Sequence, residues 1–207
     1  MARENFSVVD LFCGAGGLSE GFIQAGFDIL AANDFDANAA ETFKQNHPET
    51  RFYDGPIQDI STVEMLEAAG LQAGELDVLI GGPPCQAFSV YNHQRGMHDE
   101  RSGLFREYLR MVEGLLPKIV VMENVTGITS VAEGRAVDEI YRSLETIGFH
   151  VEHRVLKAEE YGVPQERRRI FFIGVRDGEK LDWPIAHTSE KKTSSHAPQS
   201  RNHWSPS

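Results

Sequence analysis

An apolar run over residues 7–12, Ser-Val-Val-Asp-Leu-Phe, passes straight into Cys13-Gly14-Ala15-Gly16-Gly17, and this junction constrains the fold more than any other feature. A buried strand that halts on glycines and restarts as a helix, here over 18–25, is the opening of a βαβ unit. The pattern then repeats. A strand over 27–33 ends at Asp34, and a helix over 36–46 is stopped by His47-Pro48. A short strand over 51–53 precedes Asp59-Ile60 and a helix over 62–69. A strand over 77–80 ends in Gly81-Gly82-Pro83-Pro84, where adjacent prolines commit the chain to a loop. A helix over 104–116, a strand over 118–122 ending at Glu123-Asn124, a helix over 135–146 and two strands, 149–157 and 169–175, complete the series. The expected architecture is α/β, a doubly wound and mostly parallel sheet.

In such sheets ligands sit beyond the carboxyl ends of the strands. Gly14 to Gly17, Asp34, Asp59, Pro84-Cys85 and Glu123 all fall at those ends. Strand, glycine turn, helix and an acidic residue closing the next strand make a nucleoside-binding arrangement, with the Asp34 carboxylate placed to take both ribose hydroxyls. Glycines also serve plain tight turns, so the loop alone leaves both readings open. Phe12 and Phe35 flank ligand-facing positions and can stack on a nucleobase, or can belong to the core. The dinucleotide fingerprint of oxidoreductases needs a third glycine where this chain has Ser19, and it assigns nothing to Pro84-Cys85 or Glu123.

Length and composition set the frame. A chain of 207 residues builds one domain with a proper core, and composition shifts after Asp182 to a Ser-, His- and Pro-rich stretch without periodicity. The reading is a folded domain over 1–182 and a polar linker or tail over 183–207. No apolar stretch is long enough for a membrane helix and no signal peptide is legible, so the expected compartment is the cytoplasm. Only Cys13 and Cys85 are available, too few for a disulfide framework, so both are read as free thiols. Cys13 in its apolar context reads as a small buried side chain, whereas Cys85 after a double proline in a polar loop does not. The formal charge of −11 is the reverse of a nucleic-acid-gripping surface.

Four motifs in order resemble one family. Gly81-Gly82-Pro83-Pro84-Cys85-Gln86-Ala87-Phe88-Ser89 is similar to the nucleophile loop of the cytosine-5 methyltransferases. Asp10-Leu11-Phe12-Cys13-Gly14-Ala15-Gly16-Gly17 resembles their cofactor loop. Glu123-Asn124-Val125 resembles their glutamate motif, and Gln165-Glu166-Arg167-Arg168-Arg169 their arginine motif. The resemblance covers residues 6 to 182. It implies a Rossmann-like fold dependent on S-adenosylmethionine, incomplete in this chain, and a DNA substrate with its cytosine flipped out of the helix. By the same resemblance Cys85 is the nucleophile, Glu123 the acid at the ring, Arg167 and Arg169 the residues that orient the base, and Asn124 a holder of the loop. Phe12, Gly14, Gly16, Gly17, Leu18, Asp34, Phe35, Asp59, Ile60 and Pro84 are the implied cofactor contacts.

The chemistry explains the residue types. Carbon 5 of cytosine is too weak a nucleophile to take a methyl group unaided, and a thiolate added at carbon 6 turns the ring into an enamine. A carboxyl group at ring nitrogen 3 offsets the charge that develops. Arg168, between two inward arginines, is expected to point the other way. Family members continue into a target-recognition region and a closing helix, which the resemblance places outside this chain. Three readings follow: a subunit completed by a second polypeptide, an inactive truncated enzyme, or a non-catalytic module binding cofactor or partner. A tRNA cytosine methyltransferase shares the motifs, with Ala87-Phe88-Ser89 fitting the DNA enzymes better.

Overall fold

The computed structural model describes residues 5–84, 103–178 and 181–186. Strand β1 (Ser7–Leu11) is buried on both faces, as a central parallel strand must be. It is followed by α1 (Gly17–Gln24), β2 (Asp28–Asp34), α2 (Ala37–Asn46), β3 (Arg51–Asp54), α3 (Thr62–Ala69), β4 (Val78–Gly81) and α4 (Gly103–Leu115). The chain continues through β5 (Ile119–Val125), α5 (Arg135–Ile147), β6 (Phe149–Lys157) and β7 (Arg168–Arg176). Local chemistry sets the helix starts. The Asp36 side chain caps α2 by accepting from Asn38 and Ala39 N–H, and Ser61 and Glu64 form a reciprocal capping box on α3.

Among the described residues the seven strands form one sheet in the order β3-β2-β1-β4-β5-β7-β6. Strands β1 to β5 are parallel neighbours, with β1 paired to both β2 and β4. Alternate residues feed opposite layers. Val9, Leu11, Leu79 and Met122 pack with Met65 of α3, Met111 of α4 and Ile140 of α5. Val8, Ile29, Ile80 and Val121 pack with Phe43 of α2 and with Leu18 and Phe22 of α1. The sheet is therefore doubly wound, as the alternation predicts.

Periodicity did not reveal the direction of β7. It lies between β5 and β6 and runs antiparallel to both. Reversal brings the start of β7 to the carboxyl end of β5, so Arg169 pairs with Val125 and Phe171 with Glu123. A parallel strand would have carried the arginine motif to the opposite edge.

Trp183, assigned to the tail on composition, is buried against β6. Its Nε1–H donates to Glu152 Oε2 at 2.9 Å and the Arg154 guanidinium lies 5.0 Å from its ring centroid. Tyr161 Oη–H donates to the Pro184 carbonyl at 3.3 Å. One aromatic with one polar partner leaves no periodic trace, so composition could not show this contact. Among the described residues no helix is long and apolar enough to cross a membrane.

Candidate active site

The carboxyl ends of β1, β4 and β5 and the start of β7 surround a cavity of about 700 Å³. Its walls include Asp10, Phe12, Gly14, Gly17, Leu18, Gly82, Glu123, Arg167 and Arg169. A second cavity of about 310 Å³ is lined by Phe12, Asn33, Phe35, Gly55, Pro56, Ile57, Gln58 and Leu104. Phe12 is a wall of both, and its φ of 57° puts a bulky residue in the left-handed region where strain is tolerated at functional sites. Phe35 is 70% exposed at the mouth of the second cavity, so it is not the core residue it could have been.

The glycines divide the labour. Gly14, at φ 55°, lines the large cavity and donates its N–H to Asp34 Oδ2 at 2.7 Å. Gly16, at φ 91°, lines neither cavity; a Cβ there would come within 2.6 Å of His47 Nε2. Its requirement is packing behind the loop. Asp34 is buried, and each carboxylate oxygen accepts a backbone N–H, from Gly14 and, at 2.9 Å, from Asp36. It lines neither cavity wall, and its first task is to shape the glycine loop. Each oxygen keeps a second lone pair for a hydroxyl donor.

Two expected contacts are displaced. Ile60 is buried in the core and Asp59 is exposed, and neither lines a cavity. The second cavity is lined instead by Gly55 and Pro56 and by the first two residues of the 3-10 turn Ile57–Asp59. The sequence signal was a carboxylate near a strand end, but the pocket uses Pro56 and Ile57, whose apolar faces carry no motif.

At the far wall Arg169 Nε lies 2.8 Å and Arg167 Nη2 3.6 Å from the same oxygen, Glu123 Oε1. Arg167 and Arg168 are both exposed, and Arg169 is half-buried. Glu123 Oε2 lies toward Gly82, where a Cβ would stand 3.5 Å from it in ordinary contact. The next residue, Asn124, is buried, with Nδ2 donating to the Pro83 carbonyl at 2.7 Å and Oδ1 accepting from Val125 N–H. The double-proline loop is thus tied to the strand that carries the acid. Pro84 is half-buried beyond that tether, and Cys85 lies outside the described residues.

Two buried groups add to the site. Cys13 lines the large cavity but is buried, and burial beside Asp10 and Asp34 pushes its thiol well up, so it is no source of thiolate. Asp10 opens the glycine-loop motif. It is 1% exposed on the cavity wall, accepts from Ser19 Oγ–H at 2.6 Å, and is pushed up from 3.8 to about 7. Burial is the main cause and the Asp34 charge adds to it, against the Ser19 hydrogen bond. A carboxylate inside an apolar run was the sequence signal.

The fold matches that of a prophage-encoded E. coli protein assigned as a DNA modification methyltransferase, with TM-score 0.73 and 31% identity over 87% of this chain and 49% of the other. The S. pombe Dnmt2 methyltransferase, at 21% identity, shares the fold with TM-score 0.71 over 92% of this chain and 58% of its own. The architecture is the Rossmann-like one of S-adenosylmethionine-dependent methyltransferases. Within that class the chain belongs to the C-5 cytosine-specific DNA methylase family, which it matches over residues 6–204. Among curated relatives it is 41% identical to the Type II methyltransferase M.AgeI of Thalassovita gelatinovora, over 89% of this chain and 43% of that protein. It is 40% identical to M.AquIA of Picosynechococcus sp., over 86% of this chain and 75% of that one. The chain spans about half the length of the relatives M.AgeI and M.NgoPII. The alignments with M.AgeI and M.AquIA are nearly equal, 186 and 185 residues, so M.AquIA is much the shorter protein.

Proposed function

We propose that this chain transfers a methyl group from S-adenosylmethionine to carbon 5 of cytosine in DNA, in the cytoplasm, together with a further part of the enzyme that supplies target recognition. One observation carries the reading. Glu123 is held through Oε1 by Arg169 and Arg167, with Oε2 left toward the cavity beside the tethered Pro83-Pro84 loop. That leaves one acid oxygen for a ring nitrogen and the other fixed by cations, as stabilisation of charge developing on a flipped base requires.

The residues fit the cofactor. The glycine turn at Gly14 and Gly17 leaves room against the backbone, Phe12 and Phe35 offer aromatic faces at the second cavity, and Asp34 retains acceptor capacity. When bound, S-adenosylmethionine supplies an electrophilic methyl group. The chain supplies the rest. Cys85, as thiolate, adds through sulfur to carbon 6, and the electrons of the 5,6 double bond become available at carbon 5. Glu123 shares a proton with ring nitrogen 3 while this charge builds. Arg167 and Arg169 hold Glu123 and face the base. After transfer the carbon 5 proton leaves, the sulfur–carbon 6 bond breaks and the double bond reforms. Cys13, buried and held as the thiol, cannot substitute as nucleophile.

Replacing Asp34 with alanine should weaken S-adenosylmethionine binding by about tenfold or more, since it frees two loop N–H groups and removes the hydroxyl acceptor. Calorimetry checks this, and unchanged affinity would refute the ribose role.

The function is tested with tritiated S-adenosylmethionine and mixed-sequence DNA, using the chain alone and with the product of the neighbouring reading frame. Transfer only in the mixture supports a two-part enzyme. No transfer in either, from folded protein, overturns the catalytic reading.

A further inference from the structure

The second cavity has one wall with little regular structure of its own, the Gly55–Gln58 segment between β3 and α3. It is held from two directions. From β2, Asn33 Nδ2 donates to the carbonyls of Tyr53 at 3.0 Å and Gly55 at 2.9 Å. From α4, Arg110 Nη2 donates to the carbonyls of Ile57 and Ile60, both at 2.9 Å. The guanidinium is aimed by Glu107, one turn earlier, which accepts from Arg110 Nε at 2.7 Å. The same helix places Leu104 on the cavity itself, six residues or about 9 Å back along the axis. Helix α4 therefore forms one wall and grips the segment that forms another.

From this geometry we infer that Arg110 is a positioning residue for the adenosine end of the cofactor, setting the width of the second cavity by fixing Ile57 against Leu104. The inference rests on the S-adenosylmethionine reading and adds to it a residue that touches no ligand. An arginine suits the task because its planar fork reaches two carbonyls and a carboxylate together, which an ammonium group does less well. Loss of the clamp removes the Arg110 donor from the Ile60 carbonyl and leaves the Ile57 carbonyl with the Ile60 N–H at 3.2 Å. The wall can then drift by the few tenths of an ångström that decide stacking.

The test uses the full chain and two ligands, S-adenosylhomocysteine and 5′-methylthioadenosine, which share the adenosine but differ in the amino-acid end. Calorimetry on wild type, Arg110→Met, Arg110→Lys and Glu107→Gln should show Arg110→Met weakening both ligands by the same factor, about tenfold. Arg110→Lys should recover part of the loss for both, and Glu107→Gln should give a smaller loss in the same ratio. A merely structural role would lower the melting temperature of Arg110→Met and leave both affinities as in wild type. That result overturns the inference, as does a loss confined to S-adenosylhomocysteine, which would place the effect at the amino-acid end. If wild type binds neither ligand, the cofactor reading itself fails, and this inference with it.

Discussion

Cys85→Ser is expected to reduce methyl transfer by about a thousandfold or more while leaving S-adenosylmethionine affinity within a factor of two or so of wild type. A hydroxyl is a far poorer nucleophile than a thiolate at neutral pH, and the enamine that activates carbon 5 forms only after addition at carbon 6. The prediction is sharp because the alternative thiol is disabled by its surroundings. Cys13 is buried beside two aspartates, so ionising it would put a third negative charge in the same buried spot. Transfer is measured in the complemented enzyme with tritiated cofactor, and affinity by calorimetry in parallel. Near-normal turnover by Cys85→Ser would remove the cysteine from the mechanism. Loss of transfer accompanied by loss of cofactor binding would mean that the loop, not the sulfur, had been disturbed.

The second large effect concerns stability. Asp10 titrates near 3.8 when unfolded and about 7 in the folded protein. Between those values the native state holds a proton that the unfolded chain has already released. Stability therefore falls as pH rises through the window, and the full burden of the buried carboxylate is present above pH ~7. The difference corresponds to about 4 kcal/mol. Asp10→Asn keeps the acceptor for Ser19 Oγ–H and cannot ionise. It should be more stable than wild type at pH 8, by about 8–16 °C in melting temperature, with the gap narrowing as pH falls and closing only below pH ~4. A gap that stays constant with pH would show that Asp10 is not the titrating group. Asp34, Cys13, Ser19 and Tyr108 are the charged, titratable and hydrogen-bonding groups coupled to it.

Most of the element order was legible because each strand and helix carries its own local signal. Buried runs end on glycines, Asp36 and Ser61 announce helices, and Pro48 ends one. What escaped lay in relations between elements. The reversal of β7 is a choice of sheet neighbour, and both parallel and antiparallel strands read as apolar runs. Pro56 and Ile57 line the second cavity although the eye is drawn to Asp59, because a pocket floor needs shape and apolar surface more than charge. Arg110 looks like any cation on the polar face of an amphipathic helix until its carbonyl partners appear 50 and 53 residues away. Asp10 sits within a strand pattern that tolerates one polar residue, and its hydrogen bond from Ser19 and the nearby Asp34 charge show only in the folded structure. Arg167 and Arg169 were legible as a pair on one side of a strand, and Glu123 as a strand-end acid. Their meeting depended on the reversed strand.

Asn124 ties the Pro83 carbonyl to the strand that carries Glu123, and neighbouring strands of a sheet lie about 4.8 Å apart. The sheet itself thus acts as a gauge. The spacing between the backbone that carries the acid and the start of the proline loop is set by main-chain pairing of β4 with β5. A lineage could exchange surface, tail and recognition parts freely without recalibrating that gap. Any insertion in β4 or β5 would have to be absorbed elsewhere, or the chemistry would lose its ruler.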